Sequence, residues 1–288
     1  MKITFIGLGI MGSRMASHLA NNNVELTVYN RTKKDIVAFG LQNVTISDSV
    51  QNAVKDADII FSMLSAPNAV EEVFFGEEGA LNSMKDNVIW VDCTTVNPSF
   101  SVRASQEAKL NNVRFLDAPV SGSLPQADNA ELLFFVGGEK ETLLEVEPYL
   151  NMMGKQVLQI GETGKGASFK MVVNMMLAQS MIVFAEALLF GEKMGISKEF
   201  LLDVVPNLIV SAPFTKFKAE KIKAENYEPQ FPLELMSKDL NLASLTANEQ
   251  NQPLFLANLA KELYAEANKS GMGRLDMSAI FKYLEQKK

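Results

Sequence analysis

A single cysteine, Cys93, and a single histidine, His18, are all that this 288-residue chain holds of either residue. One thiol cannot build an intrachain disulfide framework or a cysteine-cluster metal site, and it fits a reducing compartment. One imidazole leaves little for a metal centre or a Ser/His/Asp triad, so no bound metal is expected. Basic residues are in deficit too: 27 Lys and Arg against 34 Asp and Glu give a net charge of -7, and no basic run exceeds a few residues. Phosphate repulsion would go unopposed, which excludes nucleic acid and anionic membrane surfaces as partners while leaving room for a locally basic anion site. Long unbroken apolar runs are also missing. The one candidate, the segment after Lys170, is interrupted by Asn174, Gln179, Ser180 and Glu186. It reads as a helix buried in a core or covered by a second subunit, not as a membrane span. The chain opens MKITFIGLG, a strand where a charged leader would stand. No secretory or transit signal is expected, with the cytoplasm as the default location.

What is present is ordinary for a soluble globular chain, 47% hydrophobic and 21% charged, with length enough for two domains. A strand over Lys2 to Ile6 runs into Gly7-Leu8-Gly9-Ile10-Met11-Gly12, and a helix follows over Ser13 to Asn21. This is G-x-G-x-x-G in the setting that gives it meaning. Gly7 permits the tight turn, Gly9 lets backbone approach a pyrophosphate, and Gly12 lets the helix lie close to the strand. The helix N-terminus then faces the anion. A purely structural glycine turn is the alternative.

The second strand, Val24 to Tyr29, ends in Asn30-Arg31-Thr32, where an NAD site usually places a carboxylate for the ribose hydroxyls. A 2′-phosphate would instead meet the Arg31 guanidinium, the Asn30 and Thr32 side chains and the N-terminus of the following helix. NADP(H) is therefore the preferred cofactor, with NAD(H) left open if Arg31 is only a solvated loop charge.

Short apolar runs at Asn43 to Ile46, Ala57 to Met63 and Asn87 to Asp92 continue the alternation as parallel strands buried on both faces. Ligands in such sheets lie beyond the carboxyl ends of the strands. That nominates the loops Met63-Leu64-Ser65-Ala66-Pro67 and Cys93-Thr94-Thr95. Cys93 itself reads as a packed small residue, since no histidine is at hand as its base. A strand over Val113 to Ala118 leads to Pro119-Val120-Ser121-Gly122-Ser123. Its two hydroxyls and close-set N–H groups suit an anion receptor, and suit a plain turn equally. Strand Glu131 to Val136, helix Glu139 to Leu150 and strand Gln156 to Ile160 close this half.

From Gly161 to Gly191 a glycine-rich lead passes into one long apolar helix that carries Lys170 and Asn174, four residues apart and so on one face. Everything after it is helical, broken at Gly195, Pro206, Pro213, Pro229 to Pro232, Pro253 and Gly271 to Gly273. Apolar residues at helical spacing, such as Phe255, Leu256, Leu259 and Leu263, read as core. In the helix start beginning at Phe231, the step Lys238-Asp239 sits among apolar residues. It is either a paired charge in a buried setting or a surface step.

Four stretches in this order, GLGIMGSRMASHL (7 to 19), DAPVSGS (117 to 123), GETGKGASFKMVVN (161 to 174) and KDLNLA (238 to 243), resemble the β-hydroxyacid dehydrogenase superfamily. The resemblance runs end to end. It implies an α/β fold: an N-terminal Rossmann-like doubly wound sheet over residues 1 to 162, then a long interdomain helix opening an all-helical domain over 163 to 288 that forms homodimers or homotetramers. By the same resemblance Lys170 is catalytic, Ser121, Gly122 and Ser123 hold the substrate carboxylate, and Asn174 orients substrate. Thr95 and Lys238 meet the nicotinamide side of the cofactor, and Asp239 orders the site. The SGS turn, the NRT after the second strand and the FPL before KDL look like the NADPH-dependent glyoxylate/succinic semialdehyde reductase branch, in which Phe231 lines the substrate pocket. Ser123, Pro125, Gln126 and Ala130-Glu131 depart from the hydroxyisobutyrate pattern.

The resulting expectation is reduction of a short aldehyde acid to a hydroxyacid. Lysine is a poor acid at its reference pKa of about 10.4, and burial beside a cationic ring should bring it towards the working pH. Two rival readings stand beside this one. One is an NAD-dependent dehydrogenase of 3-hydroxyisobutyrate or another β-hydroxyacid. The other is a non-catalytic NADPH-binding scaffold.

Overall fold

A computed structural model describes residues 1–32 and 44–287, and the chain divides into two compact units, Met1–Lys170 and Met171–Lys288. The expected helix after Thr32 and the start of the third strand at Asn43 lie outside the described residues.

The first unit is built on one sheet. Strands β1 (Ile3–Ile6), β2 (Leu26–Tyr29), β3 (Val44–Ile46), β4 (Ile59–Ser62), β5 (Ile89–Asp92) and β6 (Arg114–Asp117) run parallel in the order β3-β2-β1-β4-β5-β6. Helices α1 (Gly12–Asn21), α2 (Val50–Val54), α3 (Pro67–Phe74) and α4 (Pro98–Leu110) fall between them. Alternation along each strand sorts side chains to opposite faces. Phe5, Ile59, Phe61, Ile89, Val91 and Leu116 join Met15 and Leu19 of α1 in one core, whereas Ile6, Ile60, Trp90 and Phe115 pack with Val70, Phe74 and Ala104 in another. Two covered faces explain why these strands read as unbroken apolar runs.

Beyond β6 the sheet is no longer all parallel. Strands β7 (Val120–Ser121), β8 (Leu132–Gly137) and β9 (Gly154–Gly161) follow, with α5 (Leu124–Asp128) and α6 (Lys140–Met153) in the connections. β6 and β7 both lie antiparallel along β8, pairing Asp117 with Gly137, Val120 with Phe134 and Ser121 with Leu133, and β9 is parallel to β8. The break at Pro119, which has no N–H to give a ladder, splits what is nearly one strand into β6 and β7.

Helix α7 (Lys165–Lys193) crosses from the first unit into the second, where α8 (Lys198–Val204), α9 (Thr215–Lys223), α10 (Leu233–Glu249), α11 (Phe255–Ala267) and α12 (Ile280–Glu285) follow. Gly195, at φ +86°, ends α7 with the N–H of Ile196 bonded to the Gly191 carbonyl, a left-handed turn that glycine takes without strain. One stripe of α7, Ala178, Met181, Ile182, Ala185 and Leu188, forms the core of this unit with Leu201, Ile222, Met236, Tyr264 and Phe281.

By length and composition α7 is apolar enough to cross a membrane, a test that the core helix of a soluble protein also passes. Only part of its apolar surface is covered within the chain: Val172, Met176, Val183 and Phe190 are exposed. Likewise Phe255, Leu256 and Leu259 are not core but the open face of α11, Phe255 being 83% exposed. The face turned inward is Ala257, Ala260, Tyr264 and Ala267. Helical spacing marks a stripe, but the partner helix decides which stripe is covered, and small residues let α10 approach closely.

Candidate active site

The loops at the carboxyl ends of β1, β2, β4 and β5 meet in one ledge of the first unit. Gly7 has φ +93°, and a Cβ there would overlap the Met63 carbonyl, while one on Gly12 would overlap the carbonyl of Gly7. Both glycines are thus demanded by backbone approach. Gly9 differs, for a Cβ built on it meets nothing within 4 Å. The space in front of it is open, and α1 starts there with no side-chain cap and no acidic residue in its first turn. Leu8, Ile10 and Met11 complete this loop, with Ile10 exposed. An uncapped helix N-terminus beside a bare glycine fits a dinucleotide pyrophosphate.

The neighbouring loops are held by backbone-directed bonds. The Leu8 N–H donates to Asn30 Oδ1 at 3.0 Å, and Asn30 Nδ2 donates to the Thr32 carbonyl at 3.0 Å, so the Asn30 amide pins the glycine-rich turn to the segment after β2. Arg31 is exposed, its side chain 85% accessible, and meets Glu72 at 3.3 Å. Thr32 is exposed as well. No carboxylate follows β2 in Asn30, Arg31 or Thr32.

At the next loops a buried network does the holding. Trp90 Nε1 donates to Ser62 Oγ, Ser62 Oγ donates to Asp92 Oδ1, each at 2.8 Å, and the Thr94 N–H donates to Asp92 Oδ1 at 3.1 Å. Thr94 Oγ1 then receives the Leu64 N–H at 3.0 Å. Met63 and Leu64 are half-buried, Pro67 opens α3, and Thr95 follows the network half-exposed. Asp92 and Thr94, which position these loops, carry no motif of their own. A lone carboxylate closing an apolar strand was the signal that could have found Asp92. Cys93 is fully buried, and burial pushes its thiol well up, as a packed residue requires and a nucleophile does not.

Ser121, Gly122 and Ser123 link β7 to α5. Gly122 has φ +127°, and the N–H and Oγ of Ser123 both donate to Gln126 Oε1, at 2.9 and 3.0 Å. The Ser123 hydroxyl is thus engaged at the start of α5. Helix α1 holds the end of α5, which follows this turn: Arg14 bonds the Ile10 carbonyl at 2.7 Å and Asp128 at 2.6 Å, and His18 Nε2 lies 2.8 Å from the Ala127 carbonyl.

Lys170 closes the first unit, on the second turn of α7 and 7% exposed. One turn further along the same helix stands Asn174, also buried. Within the second unit Asn174 Nδ2 donates to Asp239 Oδ2 at 2.6 Å, and Lys238 Nζ lies 3.1 Å from Asp239 Oδ1. The Lys238-Asp239 step is therefore a paired charge at a buried carboxylate. Phe231, half-buried, precedes α10, and its N–H donates to Asp276 Oδ2 at 3.2 Å. Asp276 also binds Lys218 Nζ, Gln230 N and Ser278, an anchor that no motif announced.

Residues 2–161 match the family described as the NAD binding domain of 6-phosphogluconate dehydrogenase, and residues 164–284 that described as NAD-binding of NADP-dependent 3-hydroxyisobutyrate dehydrogenase. The chain is 34% identical, over its whole length and 80% of the relative, to glyoxylate/succinic semialdehyde reductase 2, chloroplastic, of Arabidopsis thaliana. It is 32% identical to 2-(hydroxymethyl)glutarate dehydrogenase of Eubacterium barkeri, covering 99% of this chain and 95% of that one. A solved structure of Mycobacterium tuberculosis 3-hydroxyisobutyrate dehydrogenase with L-serine superposes with a TM-score of 0.87, at 26% identity over 98% of both chains.

Proposed function

Because the chain belongs to the β-hydroxyacid dehydrogenase family of NAD(P)-dependent oxidoreductases, we propose that it is an NADPH-dependent reductase of short aldehyde acids such as glyoxylate and succinic semialdehyde, with Lys170 as the proton donor. The observation that carries this reading is a lysine kept almost wholly buried, at 7% exposure, on the second turn of α7. Burying an ammonium is costly unless the charge is used or matched. The substrate class is supported by the name of the Arabidopsis relative. NADPH over NADH is supported by Arg31 and by Asn30 standing where a ribose-binding carboxylate would be.

In this reading Gly7 to Gly12 and the start of α1 hold the pyrophosphate, Arg31 meets the 2′-phosphate, and Met63, Leu64, Pro67 and Thr95 border the dinucleotide. A bound NADPH would supply hydride for the carbonyl carbon. Negative charge grows on the carbonyl oxygen, and Lys170 Nζ gives it a proton. In the reverse direction the same nitrogen takes that proton back. Ser121, Gly122 and the N–H groups around Ser123 hold the substrate carboxylate. Within the second unit Asn174 is oriented by Asp239, and Asn174, Phe231 and Lys238 are the residues to which the family resemblance gives contact with substrate and nicotinamide. The exposed apolar faces of α7 and α11 support assembly as a homodimer or homotetramer.

NADPH oxidation across a panel of glyoxylate, succinic semialdehyde and methylmalonate semialdehyde tests the reading, with Lys170→Met as the control. Turnover should fall by about 10²- to 10⁴-fold in the variant while NADPH still binds. Near-normal turnover by Lys170→Met would refute it. The likeness to the mycobacterial 3-hydroxyisobutyrate dehydrogenase favours a second reading, oxidation of a β-hydroxyacid, with NAD+ as the cofactor if Arg31 is only a solvated charge. A higher kcat/KM with NAD+ and 3-hydroxyisobutyrate than with NADPH and any aldehyde acid would select it.

A further inference from the structure

Asp117 ends β6 and is almost wholly buried, yet nothing in the reaction described above uses it. Its two oxygens divide between two backbone donors about fifty residues away: Oδ1 receives the Gly164 N–H at 2.7 Å and Oδ2 the Ala167 N–H at 2.8 Å. Those are groups at the start of α7 that no helical partner can satisfy. A remote carboxylate thus does the work of an N-cap and meets the positive end of the helix dipole. The fit is close on both sides. A Cβ on Gly137 of β8 would come within 2.5 Å of Oδ1, and one on Gly166 would lie 2.9 Å from Oδ2 and overlap the Phe135 carbonyl. The start of α7 therefore rests directly on the sheet backbone, with the Asp117 carboxylate as its latch.

Two chain segments leave this latch. Ala167 is three residues before Lys170 on α7, and Asp117 is four residues before Ser121 along β6 and β7. We infer that Asp117 is a positioning residue: by holding Gly164 and Ala167 it sets where Lys170 stands relative to the segment bearing Ser121 to Ser123, and its protonation slackens that hold as pH falls. This inference rests on Lys170 being the proton donor.

The surroundings make the latch sensitive to pH. Burial pushes the Asp117 carboxyl up to about 6, the two N–H bonds work against that, and the negative Asp92 adds to it. Asp92 is its register partner on the adjacent strand β5. The groups that β8 and the start of α7 set against the carboxylate carry no side-chain charge: β8 offers Gly137, and the start of α7 offers Gly164, Gly166 and Ala167. Glu162 and Lys165, which flank Gly164, are exposed, and Arg114 on the same strand pairs with Glu145. A protonated carboxyl keeps one good acceptor and turns a donor towards the second N–H, so one of the two bonds is lost. In the reducing direction a lysine that donates a proton gains occupancy of its acid form as pH falls, so it adds no acid limb of its own.

The test is kcat of the full chain with NADPH and glyoxylate from pH 5 to 8, for the wild type, Asp117→Asn and Lys170→Met. Wild-type kcat should fall through a midpoint near 6. Asp117→Asn, a permanent stand-in for the protonated form, should be slower at pH 7.5 by on the order of tenfold to a hundredfold, as a small misplacement of a reacting group costs. It should show no limb near 6 and bind NADPH as the wild type does. An Asp117→Asn enzyme with wild-type kcat and an intact limb overturns the inference and leaves Lys170 standing. Turnover that survives Lys170→Met overturns both readings. If Asp117→Asn does not fold, the wild type carries the test: the Gly164 and Ala167 amide resonances must titrate together with the kcat limb, and amides that do not move refute the latch.

Discussion

Asn174 gives its side-chain N–H to Asp239 at 2.6 Å, two buried residues joined across 65 positions of sequence. Because an ionised carboxylate only accepts, this bond settles which end of the Asn174 amide is which and leaves its oxygen to face elsewhere. Asn174→Asp would set two carboxylates against each other in a buried place, and the expected cost is about 3 kcal/mol of stability. The exchange Asn174→Asp with Asp239→Asn restores one donor and one acceptor, and chemical denaturation should show most of the loss recovered. A double variant as unstable as the single one would mean that the bond is incidental.

Gly9 and Gly12 should respond in opposite ways to alanine. A methyl at Gly12 collides with the Gly7 carbonyl, whereas one at Gly9 enters open space. Gly9→Ala is expected to stay within about 0.5 kcal/mol of the wild type while weakening NADPH binding on the order of tenfold, since the methyl occupies the path of the pyrophosphate. Gly12→Ala is expected to lose stability outright. Calorimetric binding and thermal melts on the two variants separate the outcomes, and equal NADPH affinity in Gly9→Ala would remove the pyrophosphate from that loop.

Among the described residues Arg31 meets Glu72 in an exposed pair at 3.3 Å. Such a pair contributes about 0 to 1 kcal/mol, so Arg31→Ala should leave folding intact. Its kcat/KM with NADPH should drop on the order of tenfold, the scale of one lost charge-assisted phosphate contact, and with NADH should not change. A cofactor preference unaltered by the substitution would take Arg31 out of the phosphate site.

Lys218 and Asp276 form a buried pair, with Nζ at 2.8 and 3.0 Å from the two carboxylate oxygens. Burial alone would raise the Asp276 carboxyl, but the Lys218 charge and the Ser278 bonds leave it below its ordinary value. Burial lowers the Lys218 amine more than Asp276 raises it, so the pair orders the fold more than it strengthens it. A depressed carboxylate contributes stability above its unfolded pKa of about 3.9, and that contribution is lost as pH falls through the lower folded value. Asp276→Asn should cost about 3 to 5 kcal/mol at pH 7, with the gap to the wild type closing below pH 4. Because Asp276 also receives the Phe231 N–H, the variant should raise KM for the aldehyde acid more than it lowers kcat. A stability gap independent of pH would exclude the ionised pair.

Much of the site was legible because its residues announce themselves locally. The glycines of the first loop, Arg31 after β2 and the lysine of α7 each combine a residue type with a position next to a strand end or a helix start. Asp117 was part of a recognisable stretch, yet its task depends on two N–H groups about fifty residues away, and no local pattern encodes such a distance. The Ser123 hydroxyl looked like a substrate donor, yet Ser123 and Gln126 stand at the spacing of a helix capping box, and the structure shows the hydroxyl bonded there.

By itself the sequence determined the alternating strands and helices of the first half, the helical second half and the turn that receives a dinucleotide. Those follow from periodicity and from glycine's freedom at φ above zero, which are properties of a few consecutive residues. Only the tertiary structure decided that Leu256 and Leu259 of α11 face outward, that β8 runs against β6 and β7, and that α7 is latched to the sheet by Asp117. Each of these depends on which surface arrives opposite another, and burial and buried charge take their energies from that meeting.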